Sequence, residues 1–131
     1  GVQLDLMGQE NGESAGTRQL SGIGGQMDFL EGAFRSQGGK GFVCIHSSRV
    51  TKDGERKSNI LPFIPGGSTV SAPRTMIQYA ATEYGVAKLS GRSLKERARA
   101  MISIAHPDFR EELERYASNF QAWVDVCKGW E

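Results

Sequence analysis

The chain has 131 residues, a net formal charge of +1, 38% hydrophobic residues and 24% charged residues, which suits one globular domain and excludes a disordered segment. So balanced a charge offers no field for nucleic acid or an anionic membrane surface, and no apolar run approaches the ~20 residues that span a bilayer. The opening Gly1-Val2-Gln3-Leu4 has neither an initiating Met nor a basic leader, so it reads as a cut or a tag remnant, and a cytoplasmic location is expected.

Residues 2–7 alternate apolar and polar side chains and predict a short strand. Gly8, Gly12 and Gly16, with Asn11, Ser14 and Thr17 between them, then read as a polar loop, the kind of segment that carries function. The loop leads into Ser21-Gly22-Ile23-Gly24-Gly25, directly before an apolar-periodic run. Glycine admits positive φ and close approach of a ligand. The free N–H groups of a helix start hold an anion or a developing oxyanion. Alone, the cluster reads first as a tight turn. From Asp28 a helix is expected, with Asp28 and Glu31 as a capping box. Met27, Leu30 and Phe34 fall on one face, and Gly38-Gly39 ends the helix.

Residues 41–48 form a nearly continuous apolar run, read as a strand buried on both faces, of the parallel type, with Cys44 a buried reduced thiol. Asp53-Gly54 marks a surface turn. Residues 59–64 predict another strand, which Pro62 places at an edge or a bulge. Pro65-Gly66-Gly67-Ser68 is a second glycine turn, and residues 69–72 are a brief strand stopped by Pro73. Residues 76–87 predict a strand running into a turn at Gly85.

The last third reads as helical. Ser93-Leu94-Lys95-Glu96 is a capping box, and Leu94, Ala98, Met101, Ile102 and Ala105 make one apolar face. Pro107 suits the first position of the next helix. Phe109, Leu113, Tyr116, Phe120, Trp123 and Cys127 then recur in steps of four and three. That stripe predicts a helix running past Ser118 and docking on this domain or on a second copy, which makes a homo-oligomer one expected outcome. Cys44 and Cys127 lie far apart, neither with a Cys or His at a zinc-like spacing, and His46 and His106 have no clustered partner, so no metal is expected.

Several separate words together resemble one family. Ser21-Gly22-Ile23-Gly24-Gly25-Gln26-Met27-Asp28-Phe29, Thr82-Glu83-Tyr84-Gly85-Val86-Ala87 and Ser103-Ile104-Ala105-His106-Pro107-Asp108-Phe109-Arg110 stand in the order and spacing of the acetyl-CoA hydrolase/transferase family. The resemblance is strongest to its 4-hydroxybutyrate and butyrate–acetate CoA-transferase branch. Asp5-Leu6-Met7-Gly8-Gln9 and Ser14-Ala15-Gly16-Thr17 are similar to two further words of the family. The resemblance spans residues 2–117.

The resemblance implies an α/β fold, a CoA-transferase-like C-terminal lobe with a largely parallel sheet covered by helices. The apolar strand and the amphipathic helices point to the same class independently. It implies that residues 1–131 are the C-terminal domain of a two-lobed enzyme, a fragment without the N-terminal lobe. Such enzymes move CoA between an acyl-CoA and a short-chain carboxylate through a glutamyl-CoA thioester. Coenzyme A, as acyl-CoA substrate, and the N-terminal lobe are therefore the expected partners. Gly22, Gly24 and Gly25 are expected at the pantetheine end or the oxyanion site, and Ser21 and Gln26 as polar contacts. The family's nucleophilic glutamate lies upstream of the Asp-Leu-x-Gly-Gln word, so no catalytic nucleophile is assigned in this chain. Glu10, Glu13 and Glu31 lack that context. Glu83 is an auxiliary active-site candidate, with a plain hydrogen bond to a nearby loop as its competing reading. Arg74 is a rim residue or a contact for a CoA phosphate. A stand-alone CoA-binding or interaction module, and an acetyl-CoA hydrolase, remain as alternatives.

Overall fold

Asp5 ends the first strand. Its buried carboxylate accepts the N–H groups of Met7 at 3.0 Å and Gln9 at 2.9 Å, and the Gln9 side-chain amide at 2.7 Å. These bonds fold the chain back through Gly8, whose φ of 86° glycine tolerates. The computed structural model describes residues 1–119. Its elements, in chain order, are β1 (Gln3–Asp5), β2 (Glu10–Asn11), β3 (Ser14–Ala15), β4 (Arg18–Gln19), α1 (Gln26–Arg35), β5 (Phe42–Cys44), β6 (Ser48–Val50), β7 (Arg56–Ser58), β8 (Ile60–Leu61), β9 (Tyr79–Thr82), β10 (Gly85–Lys88), α2 (Leu94–Ser103) and α3 (Pro107–Ser118).

The α/β class holds, but the strands lie in small mixed sheets. One sheet has the order β2-β1-β8, antiparallel between β1 and β2 and parallel between β1 and β8. The other has the order β10-β9-β5, antiparallel between β10 and β9 and parallel between β9 and β5. The β3–β4 and β6–β7 pairs are antiparallel ribbons. Among the described residues, parallel pairing is therefore confined to two ladders. The local antiparallel pairs need only tight turns, whereas each parallel pair spans a long crossover.

The core lies between these sheets and the helices. Leu4, Leu6, Ile60, Ile77, Leu89, Met101 and Ile104 are almost wholly buried there. Ser93 caps α2 as expected, in a complete capping box with Glu96. Pro107 stands in the first turn of α3, and the His106 side chain accepts the Asp108 N–H at 3.3 Å. Phe109 packs against the core and Leu113 lies within it, while Tyr116 is exposed. Phe120, Trp123 and Cys127, the rest of the expected stripe, lie outside the described residues.

Several expectations are corrected. The segment of residues 8–18 is not simply loop: it holds β2, β3 and the start of β4, and it buries Glu10, Asn11 and Ser14. Asn11 explains much of this, since its Oδ1 accepts the N–H groups of Glu13 and Ser14 and the Ser14 hydroxyl. The α1 helix starts at Gln26 with Gly25 as N-cap and no side-chain cap, so Asp28 and Glu31 form no capping box. β5 alternates: Val43 and Ile45 are buried, while Phe42, Cys44 and His46 are exposed. Cys44 is thus an exposed thiol, because one face of this strand has no layer over it. The turn between β9 and β10 is Glu83-Tyr84, and Gly85 pairs with Thr82 as the first residue of β10. β8 stops before Pro62 at the edge of its sheet, and residues 69–72 contribute only a bridge from Ala72 to Glu10.

Candidate functional site

The turn before α1 stands proud of the domain. Residues 21–25 are all exposed. The turn hangs from the β3–β4 ribbon: the Glu13 carbonyl accepts the N–H groups of Leu20 at 2.7 Å and Ser21 at 3.2 Å. The Gln19 side-chain amide donates to the Ser21 carbonyl at 2.6 Å. Gly24 has φ 59°, so the chain reverses there into the first turn of α1. A methyl group built on Gly22 or Gly24 would meet nothing within 4 Å. The first N–H groups of a helix lack intrahelical partners, and no side chain caps these. The turn therefore offers backbone donors, with the positive end of the helix dipole behind them, to open space.

Gln26 points the other way. Its Nε2 donates to Glu10 Oε2 at 2.8 Å, so its carboxamide faces inward. Glu10 is wholly buried, which its sequence does not announce, because a glutamate among glycines and polar residues carries no periodic signal of burial. Burial pushes its carboxyl up, with the Gln26 hydrogen bond opposing.

Beside Gln26 opens a groove of ≈ 440 Å³ between α1 and β5, lined by Phe29, Leu30, Ala33, Lys40, Phe42 and Cys44 among others. Phe29 is 82% exposed and Phe42 46% exposed, so two aromatic rings present apolar surface along the groove. Phe42 is braced from the side by Tyr79, stacked with ring centroids 4.8 Å apart. The turn and the groove thus meet at Gln26. Among the described residues no group of three or more His, Cys, Asp or Glu side chains gathers as metal ligands.

Glu83 lies elsewhere, at the tip of the β9–β10 hairpin. Its carboxylate accepts the Ser47 hydroxyl and the Ser47 N–H, the latter at 3.0 Å, and so ties the hairpin to the chain leaving β5. The Ser47 hydroxyl holds the exposed Glu83 carboxyl below its ordinary 4.5; slight desolvation opposes this and the Ser47 N–H assists. The neighbours of Glu83 stitch the same hairpin to the α2–α3 junction. The Thr82 hydroxyl donates to the Ile104 carbonyl at 2.6 Å, the Tyr84 ring meets His106 edge-on, and the Arg110 guanidinium lies over Tyr84. The Thr-Glu-Tyr and Ala-His-Pro words thus meet across one seam.

Because a folded-state pKa below 4.5 means that folding favours the ionised form, the contribution of Glu83 is present above pH 4.5 and is lost as pH falls through the lowered value. Glu83→Gln is therefore expected to cost about 1 kcal/mol or less at neutral pH and nothing in acid. Urea titrations of both proteins across that range check this, and a pH-independent difference would refute it.

The second glycine turn is structural. Ser68 N–H closes on the Pro65 carbonyl at 3.0 Å, and a methyl group on Gly67 would come within 2.7 Å of the Thr17 side chain. Arg74 is exposed; its carbonyl accepts Arg97 Nη1 at 2.9 Å and its own Nη1 lies 3.6 Å from Met7 Sδ.

Residues 1–117 match the family model of the acetyl-CoA hydrolase/transferase C-terminal domain. The chain is 48% identical over 122 residues to the butyryl-CoA:acetate CoA-transferase of Anaerostipes caccae, covering 93% of this chain and 27% of that protein. It is 50% identical over 112 residues to the 4-hydroxybutyrate coenzyme A transferase of Clostridium kluyveri, covering 86% and 25%. Among solved structures, RipA from Yersinia pestis superposes with a TM-score of 0.79 at 40% identity, covering 92% of this chain and 26% of that one. The chain spans about a quarter of the length of these relatives. With a match over nearly its whole length and close to half of its residues shared with two transferases, the chain belongs to the acetyl-CoA hydrolase/transferase family, as its C-terminal domain.

Proposed function

We propose that this domain forms one wall of the active site of an acyl-CoA:carboxylate CoA-transferase of the 4-hydroxybutyrate or butyrate–acetate type. The observation that carries the reading is the uncapped, solvent-open start of α1 behind Gly22, Gly24 and Gly25. A glutamate from the rest of the enzyme attacks the acyl-CoA carbonyl; the C–S bond breaks and an acyl-glutamyl anhydride forms as the CoA thiolate leaves. The thiolate then attacks the glutamyl carbonyl, releases the first carboxylate and leaves CoA as a glutamyl thioester. An acceptor carboxylate runs the same steps in reverse. Covalent relay of this kind splits one difficult exchange into easier ones.

Each tetrahedral state places negative charge on an oxygen, and backbone N–H groups fixed in advance stabilise it without reorganising. The N–H groups of residues 22–26 supply that role, and the glycines allow the thioester close to them. Ser21 adds a polar contact at the turn's edge. Gln26 joins the turn to the groove, and Phe29 and Phe42 face the N-terminal lobe, whose docking would cover them. Glu83 acts at most as an auxiliary group, since its carboxylate is already engaged by Ser47.

The test uses the complete enzyme. With acetyl-CoA and butyrate it is expected to form butyryl-CoA and to show a CoA adduct on a glutamate by mass spectrometry when acceptor is withheld. The 131-residue chain alone is expected to be inactive. Rapid release of free CoA without acceptor would make the enzyme a hydrolase, as the family description allows. CoA binding without either reaction would leave only a binding module.

A further inference from the structure

We infer that Glu10 is a positioning residue for the CoA site, holding the start of α1 through the Gln26 carboxamide; this rests on the reading of the residue 21–26 turn given above. The main chain of Glu10 is fixed on both sides. Its N–H donates to the Ala72 carbonyl at 3.0 Å, and its carbonyl accepts Ser71 N–H at 2.8 Å and Ala72 N–H at 3.2 Å. From that anchored point the side chain runs into the interior, where none of it is exposed. One oxygen accepts Gln26 Nε2. The other, Oε1, has no hydrogen-bond partner and lies 3.9 Å from the Gly1 nitrogen.

A carboxyl buried with a single hydrogen-bond partner recovers little of the cost of its desolvation. Core stability therefore does not account for it. Geometry does: among the described residues, the Gln26–Glu10 bond is the side-chain hydrogen bond that reaches residues 22–28. The turn is exposed and uncapped, and this bond anchors its inner end. Gly12 keeps room for the pair, since a methyl group there would come within 2.8 Å of Glu10 Oε1 and 3.1 Å of Gln26 Oε1. Oxyanion donors misplaced by about an ångström lose much of their effect, so a buried tether two residues behind Gly24 acts on chemistry that it does not touch.

In the complete enzyme, Glu10→Leu is expected to lower kcat about 10-fold or more, with KM for acyl-CoA within about 3-fold and a modest fall in melting temperature, because the Gln26 amide loses its acceptor. Gln26→Ala should fall equally, and the double variant no further than either single one, as a shared tether requires. Glu10→Gln keeps an acceptor for Gln26 and should return kcat to within about 3-fold of wild type. Should the leucine variant not fold, the contrast between Gln26→Ala and Glu10→Gln decides alone. Amide hydrogen exchange at residues 23–27 is expected to speed up in Glu10→Leu and Gln26→Ala but not in Glu10→Gln. Wild-type turnover with unchanged kcat in the tether variants, additive losses, or no rescue by glutamine would overturn the inference. A wild-type enzyme without CoA transfer would instead overturn the proposed function, with hydrogen exchange still testing the tether.

Discussion

Replacing Gly24 by valine in the complete enzyme is expected to lower CoA-transfer turnover about 10²–10³-fold, the loss typical of one oxyanion donor. Gly24 sits at φ 59°, where a β-branched residue is a genuine outlier. Nothing within 4 Å would collide with the added carbon, so the damage comes from backbone strain and from filling the space above the turn. The strain costs roughly 1–2 kcal/mol, and the chain relieves it by rotating Gly24 and with it the N–H groups beside it. A modest drop in melting temperature should accompany the large kinetic loss. Gly22→Ala separates the two effects. Gly22 has no positive φ and equal room around it, so alanine should leave melting unchanged and reduce turnover only by crowding the thioester. Steady-state kinetics with thermal melting measure both, and near-normal turnover in Gly24→Val would remove the turn from the chemistry.

The second large effect concerns stability. Asp5→Ala is expected to cost about 3 kcal/mol or more, since it leaves two buried or half-buried N–H groups and the Gln9 amide without their acceptor. Asp5→Asn should cost much less, because its side-chain oxygen still accepts from Met7 and Gln9. The pair also carries a pH signature. Burial pushes the Asp5 carboxyl above its ordinary 3.8, against the hydrogen bonds from Gln9 and Met7. Folding therefore takes up a proton, so this contribution is complete below pH 3.8 and is lost as pH rises through the raised value. Wild type should gain stability relative to Asp5→Asn on going from neutral to acid. Glu10 shifts in the same direction for the same first cause, so the asparagine variant is the needed reference. Denaturant unfolding of both proteins across that range checks the sign.

What could be read from the sequence was whatever is written in adjacent residues. Ser93 with Glu96, and Pro107 after His106, specify helix starts by local geometry, and both stand where expected. Gly24 at positive φ likewise follows from the crowding of glycines. The family words carried the family and the fold class. Elsewhere the deciding partner was distant. Whether residues 41–48 are covered on one face or two depends on what packs over Phe42 and Cys44, which their own order does not state. Glu10 is buried by Ala72 and Gln26, neither near it in sequence. The start of α1 moved from Asp28 to Gln26 because glycine supplied the N-cap, where a side-chain oxygen had been expected.

The pairing of β1 with β8 has a kinetic meaning. Leu4 lies beside Ile60 and Glu10 beside Ala72, so the N-terminal strand has no complete sheet to join until more than fifty further residues are available. Closing such a loop pays its entropy before any contact returns it. The local units, the β9–β10 hairpin and the α2–α3 pair, suffer no such delay. Folding should thus run from the C-terminal half inward, with β1 docking late. In a longer polypeptide, the segment that enters this domain through Gly1 and β1 would then be the last to be drawn into place.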